Sequence, residues 1–262
     1  MLILPIRTGL LRAGSDLAKE ILSKVTLERS DIVVVSSKAI ATVEGAAMNL
    51  SEITPSPEAI SDAKRCNQDP RFTECILREM KRMNGFVTST SPFVLLTSLK
   101  PEGMKTGRIL CPNAGMDLSN TDMGFAIGWP KDPVTSAEKL RATLHVPVII
   151  SDSCSRPSRL GVTAFALACT GIDPLQSEVG KSDLFGKKML VTVEAIADQL
   201  ATAANAVMGN AAQCIPAAVI RDHGVPFSNF CGWVDGIEEG VDMFASRYAP
   251  SKGATRSDTG KT

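Results

Sequence analysis

Two aspartates carry the clearest chemical signal. Asp117 lies in Cys111-Pro112-Asn113-Ala114-Gly115-Met116-Asp117-Leu118-Ser119-Asn120, and Asp152 in Val148-Ile149-Ile150-Ser151-Asp152-Ser153. Each is expected just beyond a hydrophobic strand, at the mouth of a sheet. A carboxylate there, beside hydroxyl and amide oxygens, suits a hard cation such as Mg²⁺ or Mn²⁺. The alternative is a turn aspartate bonding to its own backbone. Arg156 and Arg159 follow closely in Arg156-Pro157-Ser158-Arg159. Two guanidinium groups match phosphate or carboxylate oxygens bidentately, unless they are simply surface arginines. His145 and His223 are the only histidines and stand too far apart in sequence to read as a zinc site, which favours structural or surface roles. Cys154 has no histidine motif around it and reads as a small packing residue. Neither Gly-x-x-x-x-Gly-Lys-Ser/Thr nor Gly-x-Gly-x-x-Gly occurs, so a P-loop and a Rossmann fingerprint are both excluded.

The elements that must hold these residues are legible in outline. Ile3–Ile6 reads as a first strand. Ser15 or Asp16 then caps a helix with Leu17, Ile21, Leu22 and Val25 on one face. Ile32–Val35 is a β-branched run for a buried strand, with Ser36-Ser37-Lys38 at its end, where α/β proteins place ligand contacts. Prolines 55, 57 and 70 punctuate the next stretch, before a helix with Phe72, Ile76, Leu77 and Met80 in register. Phe86–Leu96 reads as strand or hairpin and Arg108–Cys111 as a short strand. Ser136 is the expected cap of a following helix, and Val146–Ile150 a buried strand ending at Ser151-Asp152-Ser153. Leu190–Val193 reads as a strand, and Glu194–Met208 as a helix with Ile196, Leu200, Ala203, Ala204 and Val207 as its apolar face. Ala217–Ile220 is a late strand and Glu238–Arg247 a late helix. Without strict βαβ alternation, the fold class is α/β, mixed α+β. Residues 1–249 are expected to form one unit, and 250–262 a disordered tail.

Composition narrows the partners. Lys+Arg and Asp+Glu are equal at 28 each, so no global field holds nucleic acid or an anionic membrane. No apolar run approaches the ~18–20 residues of a membrane span. Seven scattered cysteines, an odd number, point to reduced thiols and a cytoplasmic setting.

Taken together and in order, several segments resemble the coenzyme F420-0:L-glutamate ligase family. They are Asn113–Asn120, Ser136-Ala137-Glu138-Lys139-Leu140-Arg141, Val148–Ser153, Arg156-Pro157 with Arg159-Leu160-Gly161, and Asp183-Leu184-Phe185-Gly186. Val191–Asp198, Met208-Gly209 and Ile215-Pro216 complete the series. The resemblance runs collinearly from the first strand to about residue 222. It implies a GTP-dependent amide ligase with two divalent cations, Mg²⁺ or Mn²⁺, in a two-lobed subunit of an intertwined homodimer. It further implies that the acceptor carboxylate takes the γ-phosphoryl group of GTP, and that L-glutamate then attacks the acyl phosphate. Such chemistry needs charge neutralised and groups held in line more than it needs a protein nucleophile.

Carried over residue by residue, Asp117 and Asp152 correspond to ligands of one metal, and Ser153 stands where the family has a Thr near the second. Leu10, Leu11 and Arg12 fall in a first nucleotide loop, shorter here; Ser36 and Ser37 match a second nucleotide segment, and Asn120 a nucleotide-contacting Asn. Asn210 falls in the same nucleotide-binding set. The departures are specific. Thr42 replaces a nucleotide-contacting Lys, Cys154 and Ser158 replace two aromatic rings, and Asn210 and Gln213 are neutral where the family commonly carries an acid. The lost rings point to a changed acceptor pocket. F420-0 is the acceptor the family implies, and a folate carboxylate is the alternative. A non-catalytic nucleotide-binding protein is a third reading, which the joint presence of Asp117, Asn120, Asp152, Arg156 and Arg159 opposes.

Overall fold

A computed structural model describes residues 1–238 and 240–244. The chain separates into two compact units, each discontinuous in sequence: Met1–Met48 with Leu118–Val234, and Asn49–Asp117 with the segment from Asp235 onward.

The first unit is built on a six-stranded mixed sheet. Its strands are β1 (Leu2–Ile6), β2 (Ile32–Ser36), β8 (Val148–Ser155), β9 (Val162–Ile172), β12 (Ala217–Arg221) and β13 (Phe227–Trp233), in the order β1-β12-β2-β8-β9-β13. Only β2 and β8 run parallel; every other neighbouring pair is antiparallel. Ile32–Val35 and Val148–Ile150 are fully buried, because helices cover both faces. On one face, helix α6 (Ile196–Met208) sets Ala197, Leu200, Ala201, Ala204 and Met208 against Ile32, Val34, Ile149, Ala218 and Ile220. Four small or unbranched residues in that stripe let the helix lie close to the sheet. Helix α5 (Pro133–Leu144) contacts the same sheet, its Arg141 donating to Thr170 Oγ1 of β9 at 3.1 Å. Helices α1 (Leu17–Leu22) and α2 (Ser37–Val43) complete the layer.

The second unit pairs a three-stranded antiparallel sheet, β4 (Phe86–Ser91), β5 (Val94–Leu99) and β6 (Ile109–Pro112), with helices α3 (Pro57–Cys66) and α4 (Pro70–Arg82). Four two-residue strands remain: β3 (Met48–Asn49), β7 (Phe125–Ala126), β10 (Gln176–Ser177) and β11 (Val193–Glu194). The architecture is the mixed α/β arrangement expected, with neither a Rossmann sheet nor a P-loop.

Several local expectations shift. Helix α3, unmarked by the sequence reading, begins at Pro57 with Ser56 accepting from Ala59 N. Asp69-Pro70 and Asp132-Pro133 open α4 and α5 the same way, with the aspartate as cap. Proline at the first helical position gives up an N–H that has no partner there anyway. Ser136 is therefore inside α5, bonding Glu44 Oε1 and Asp132 O, and is not its cap. Helix α1 stops at Leu22, which is exposed, so neither Leu22 nor Val25 joins its buried face. Leu190–Thr192 are outside any strand, and only Val193–Glu194 pair, with β10. Of the late helix expected over 238–247, residues 240–244 form turns and the rest, like the tail from 250, lies outside the described residues. Strands β9 and β13, and the two-residue β3, β7 and β10, carry no mark in the sequence.

Candidate functional site

Registers across the first unit align one row of residues: Ile6, Ala217, Val35, Ile150 and Ala168. Everything one step beyond that row gathers at a single end of the sheet. Ser36 lies beside Ser151 in the parallel pair, and its N–H donates to Pro216 O at 2.9 Å. Thr8 N donates to Cys214 O at 3.0 Å, bringing the end of β1 and the start of β12 to the same edge. Leu10, Leu11 and Arg12 follow β1 there, and Asn210 precedes β12. Four segments distant in sequence thus meet because strand order places them side by side.

Segment 119–130 folds over this end. Lys38 Nζ donates to Ser119 Oγ at 2.9 Å and to Ser119 O at 3.1 Å. The Arg12 guanidinium approaches Asp122 at 4.0 Å with both side chains exposed, a weak and salt-screened pair. Trp129, buried with Ala126–Pro130, donates its indole N–H to Asp152 Oδ2 at 2.5 Å. Asp152 Oδ1 accepts from Ser153 N at 2.8 Å.

Asp152 is inside β8, not beyond it. The strand continues to Ser155, with Asp152 opposite Phe165 and Ser153 opposite Ala164. Between Ile150 and Ser151 the register slips, because Leu167 is an extra residue on β9. At the bulge, Ala166 N donates to Asp198 Oδ1 of α6 at 2.9 Å. Bulges re-aim side chains at this kind of position. Burial raises the Asp198 carboxyl above its ordinary range, against the opposing pull of Ala166 N–H and Arg156.

The continued strand also moves the arginines. Arg156 lies four residues past Asp152, about 13 Å along an extended chain. Arg156 and Arg159 are exposed on the β8–β9 hairpin, where Arg159 N bonds Arg156 O. The Arg156 guanidinium lies 4.0 Å from Asp198 Oδ2.

Asp117 ends the 49–117 stretch of the second unit, so it and Asp152 belong to different units. The turn before it is firmly held: Asn113 Oδ1 accepts from Leu95 N at 2.9 Å, and Thr97 Oγ1 accepts from Ala114 N at 3.1 Å. Asn120 is exposed in a left-handed turn (φ 55°). Ser37 is buried, and Ser36 caps α2 with no side-chain bond to that helix. Asn210 is exposed, after Gly209, at which an added Cβ would meet Gln213 at 2.5 Å. Thr42, in place of the expected Lys, bonds back to Lys38 O at 2.8 Å and reaches out no further than its own helix. Cys154 is buried, 3.5 Å from Thr163 Oγ1, and Ser158 is in a left-handed turn. His223 ties loops together through Ser30 O and Val225 N, and His145 caps α5.

Among the described residues, no three His, Cys, Asp or Glu side chains converge as a metal-binding group. What Asp152 offers is a carboxylate of fixed orientation; Ser151 and Ser153, its neighbours along β8, project to the opposite face of the sheet, and Ser151 Oγ bonds Val35 O at 3.4 Å. Such sparse, hard-oxygen donors fit a cation that keeps several waters and takes one or two carboxylates plus substrate phosphates. They do not fit an all-protein cage.

Trp129 and Asp198 were not singled out by sequence. A tryptophan beside Pro130, one of two in the chain, was the available signal for the first.

Comparison with known proteins adds a separate line. A family model described as F420-0:Gamma-glutamyl ligase matches residues 5–222. The coenzyme F420:L-glutamate ligase of Methanopyrus kandleri is 37% identical over 216 residues, 80% of this chain and 82% of that protein. Those of Methanosarcina acetivorans and Archaeoglobus fulgidus are 38% and 37% identical over 218 residues, each covering 81% of this chain and 82% or 83% of the relative.

Proposed function

This chain belongs to the F420-0:gamma-glutamyl ligase family, and from that membership we propose that it joins the amine of L-glutamate to the carboxylate of coenzyme F420-0, driven by GTP. One observation carries the reading: the match over residues 5–222, which contains every segment that converges on the sheet end.

A carboxylate resists amines because its leaving group would be oxide. In the proposed reaction an acceptor carboxylate oxygen attacks the γ-phosphorus and GDP leaves. The glutamate nitrogen then attacks the acyl carbon, phosphate departs with its electron pair, and the nitrogen sheds a proton. Leu10, Leu11, Arg12, Ser36, Ser37, Asn120 and Asn210 are the assigned nucleotide contacts. Arg156 and Arg159, exposed on their hairpin, are assigned to anionic groups of the substrates. Asp117, Asp152 and Ser153 supply the hard oxygens for divalent cations, Mg²⁺ or Mn²⁺. A cation bound there would supply neutralisation of phosphate charge. A homodimer working in the cytoplasm completes the proposal. The described residues contain no helix long and apolar enough to cross a membrane.

Folate is the second acceptor to consider, favoured by Cys154 and Ser158, which leave residues 154–161 of the β8–β9 hairpin without an aromatic ring. The test is one assay: protein, GTP or ATP, Mn²⁺ or Mg²⁺, L-glutamate, and F420-0 or a reduced folate, with products read by mass. A glutamyl adduct on F420-0 with GTP is expected. An adduct on folate alone would replace the acceptor, and tight GTP binding with no product would replace the enzyme reading.

A further inference from the structure

Asp152 is held by more than its own backbone. Its Oδ2 accepts the Trp129 indole N–H at 2.5 Å while Oδ1 accepts Ser153 N–H at 2.8 Å, so the plane of the carboxylate is fixed from both oxygens. The indole is itself immobile. Trp129 is 3% exposed, and its ring meets Phe165 edge-on at 6.3 Å between centroids and 63° between planes. Phe165 is the cross-strand partner of Asp152, so the same pair of strands carries the carboxylate and the wall behind its donor.

We propose that Trp129 is a positioning residue for Asp152, orienting that carboxylate for a divalent cation. The inference rests on the reading of Asp152 as a metal ligand. The chemistry of the donor supports it. An indole N–H can only donate, so the direction of the bond cannot reverse. It is also neutral. A Lys or Arg in its place would orient the carboxylate but cancel its charge and repel the cation; the indole orients it and leaves the full negative charge. Partners of this kind, one bond removed from a ligand, typically change metal affinity or activity about 10–100-fold when lost.

The probe is Mn²⁺ alone, with free ion measured by electron paramagnetic resonance over the full-length protein. Trp129→Phe keeps a ring and removes the donor, and is expected to weaken Mn²⁺ binding at least about tenfold. Trp233→Phe, on β13, is expected to bind as wild type. Circular dichroism checks that each variant is folded. Should Trp129→Phe not fold, Trp233→Phe still decides, because Trp129 is then the sole indole. Its fluorescence is expected to be quenched in step with Mn²⁺ occupancy. Wild-type affinity in folded Trp129→Phe, or emission unmoved at full occupancy, overturns the proposal. If Asp152→Asn binds Mn²⁺ as wild type does, the fault lies instead with the metal assignment beneath it.

Discussion

Replacing Asp152 with Asn should do two separable things, and the size of one follows from the hydrogen bonds. In the native protein both carboxylate oxygens accept, Oδ2 from Trp129 Nε1 and Oδ1 from Ser153 N. An amide has one acceptor and one donor. Whichever way Asn is turned, its NH₂ group faces either the indole N–H or the Ser153 N–H, and one bond is replaced by two opposed donors. A hydrogen bond to a charged group is worth about 1.5–3 kcal/mol. For a chain of this size, about 2 kcal/mol lowers the melting temperature by roughly 4–8 °C. Asp152→Asn should therefore be folded, less stable by that margin, and inactive in ligation with Mn²⁺ at saturation. Differential scanning calorimetry and mass detection of the glutamyl product read the two effects. An unchanged melting temperature would refute the bonding argument. Near-normal turnover would refute the ligand assignment, whatever the stability.

Asp198→Asn should behave oppositely. Its Oδ1 can still accept Ala166 N–H, and the variant no longer carries a partly buried charge. Because burial raises this carboxyl, its ionised form is disfavoured in the fold; the penalty is present above the folded pKa and absent below the ordinary carboxyl value of 3.8. The variant should melt at or above wild type at pH 7, with the difference closing under strong acid, as followed by thermal scans across pH. Asp31 is fully buried; burial alone would raise it, but Arg221 at 2.8 Å from both oxygens and Glu28 N–H hold it below the usual range. Its contribution is thus present above pH 3.8 and lost as pH falls through the lower folded value. Asp31→Ala should cost about 3–5 kcal/mol at neutral pH by urea titration, with a smaller deficit in acid. Gly107 has φ +68°, and a Cβ there would lie 2.3 Å from the Gly236 carbonyl carbon. Gly107→Ala should destabilise the second unit by more than the roughly 1–3 kcal/mol of the backbone conformation alone, with hydrogen exchange rising at Lys105 and Thr106, whose N–H groups bond Asp235.

Strands of continuous β-branched or aliphatic residues were legible because burial on both faces leaves an uninterrupted run. Ile32–Val35 and Ala217–Ile220 appear where the sequence puts them, while the run expected over Val146–Ile150 starts at Val148 and continues to Ser155. Helix α4 declared itself by Phe72, Ile76 and Leu77 at helical spacing. Strand β9 did not. Its small residues and the extra Leu167 break the alternation that marks a strand, and the bulge is visible only against β8. Helix α3 was hidden for a different reason: a proline usually interrupts helical periodicity, whereas Pro57 after a capping serine is a start.

For the site, the sequence by itself determined the inventory. It supplied as candidates the hydroxyl-rich end of β2, the carboxylates Asp117 and Asp152, and the arginine pair, because residue type fixes which groups can hold an anion or a hard cation. The tertiary structure decided which of them are neighbours and how each is held. Strand order sets Ser36 beside Ser151, and continuation of β8 carries Arg156 away from Asp152. Chain folding brings Trp129 to a carboxylate that no periodicity links to it. Hydrogen bonds between segments distant along the chain follow from where the backbone goes, and that path is set by the burial of the whole sheet, not by the residues that meet.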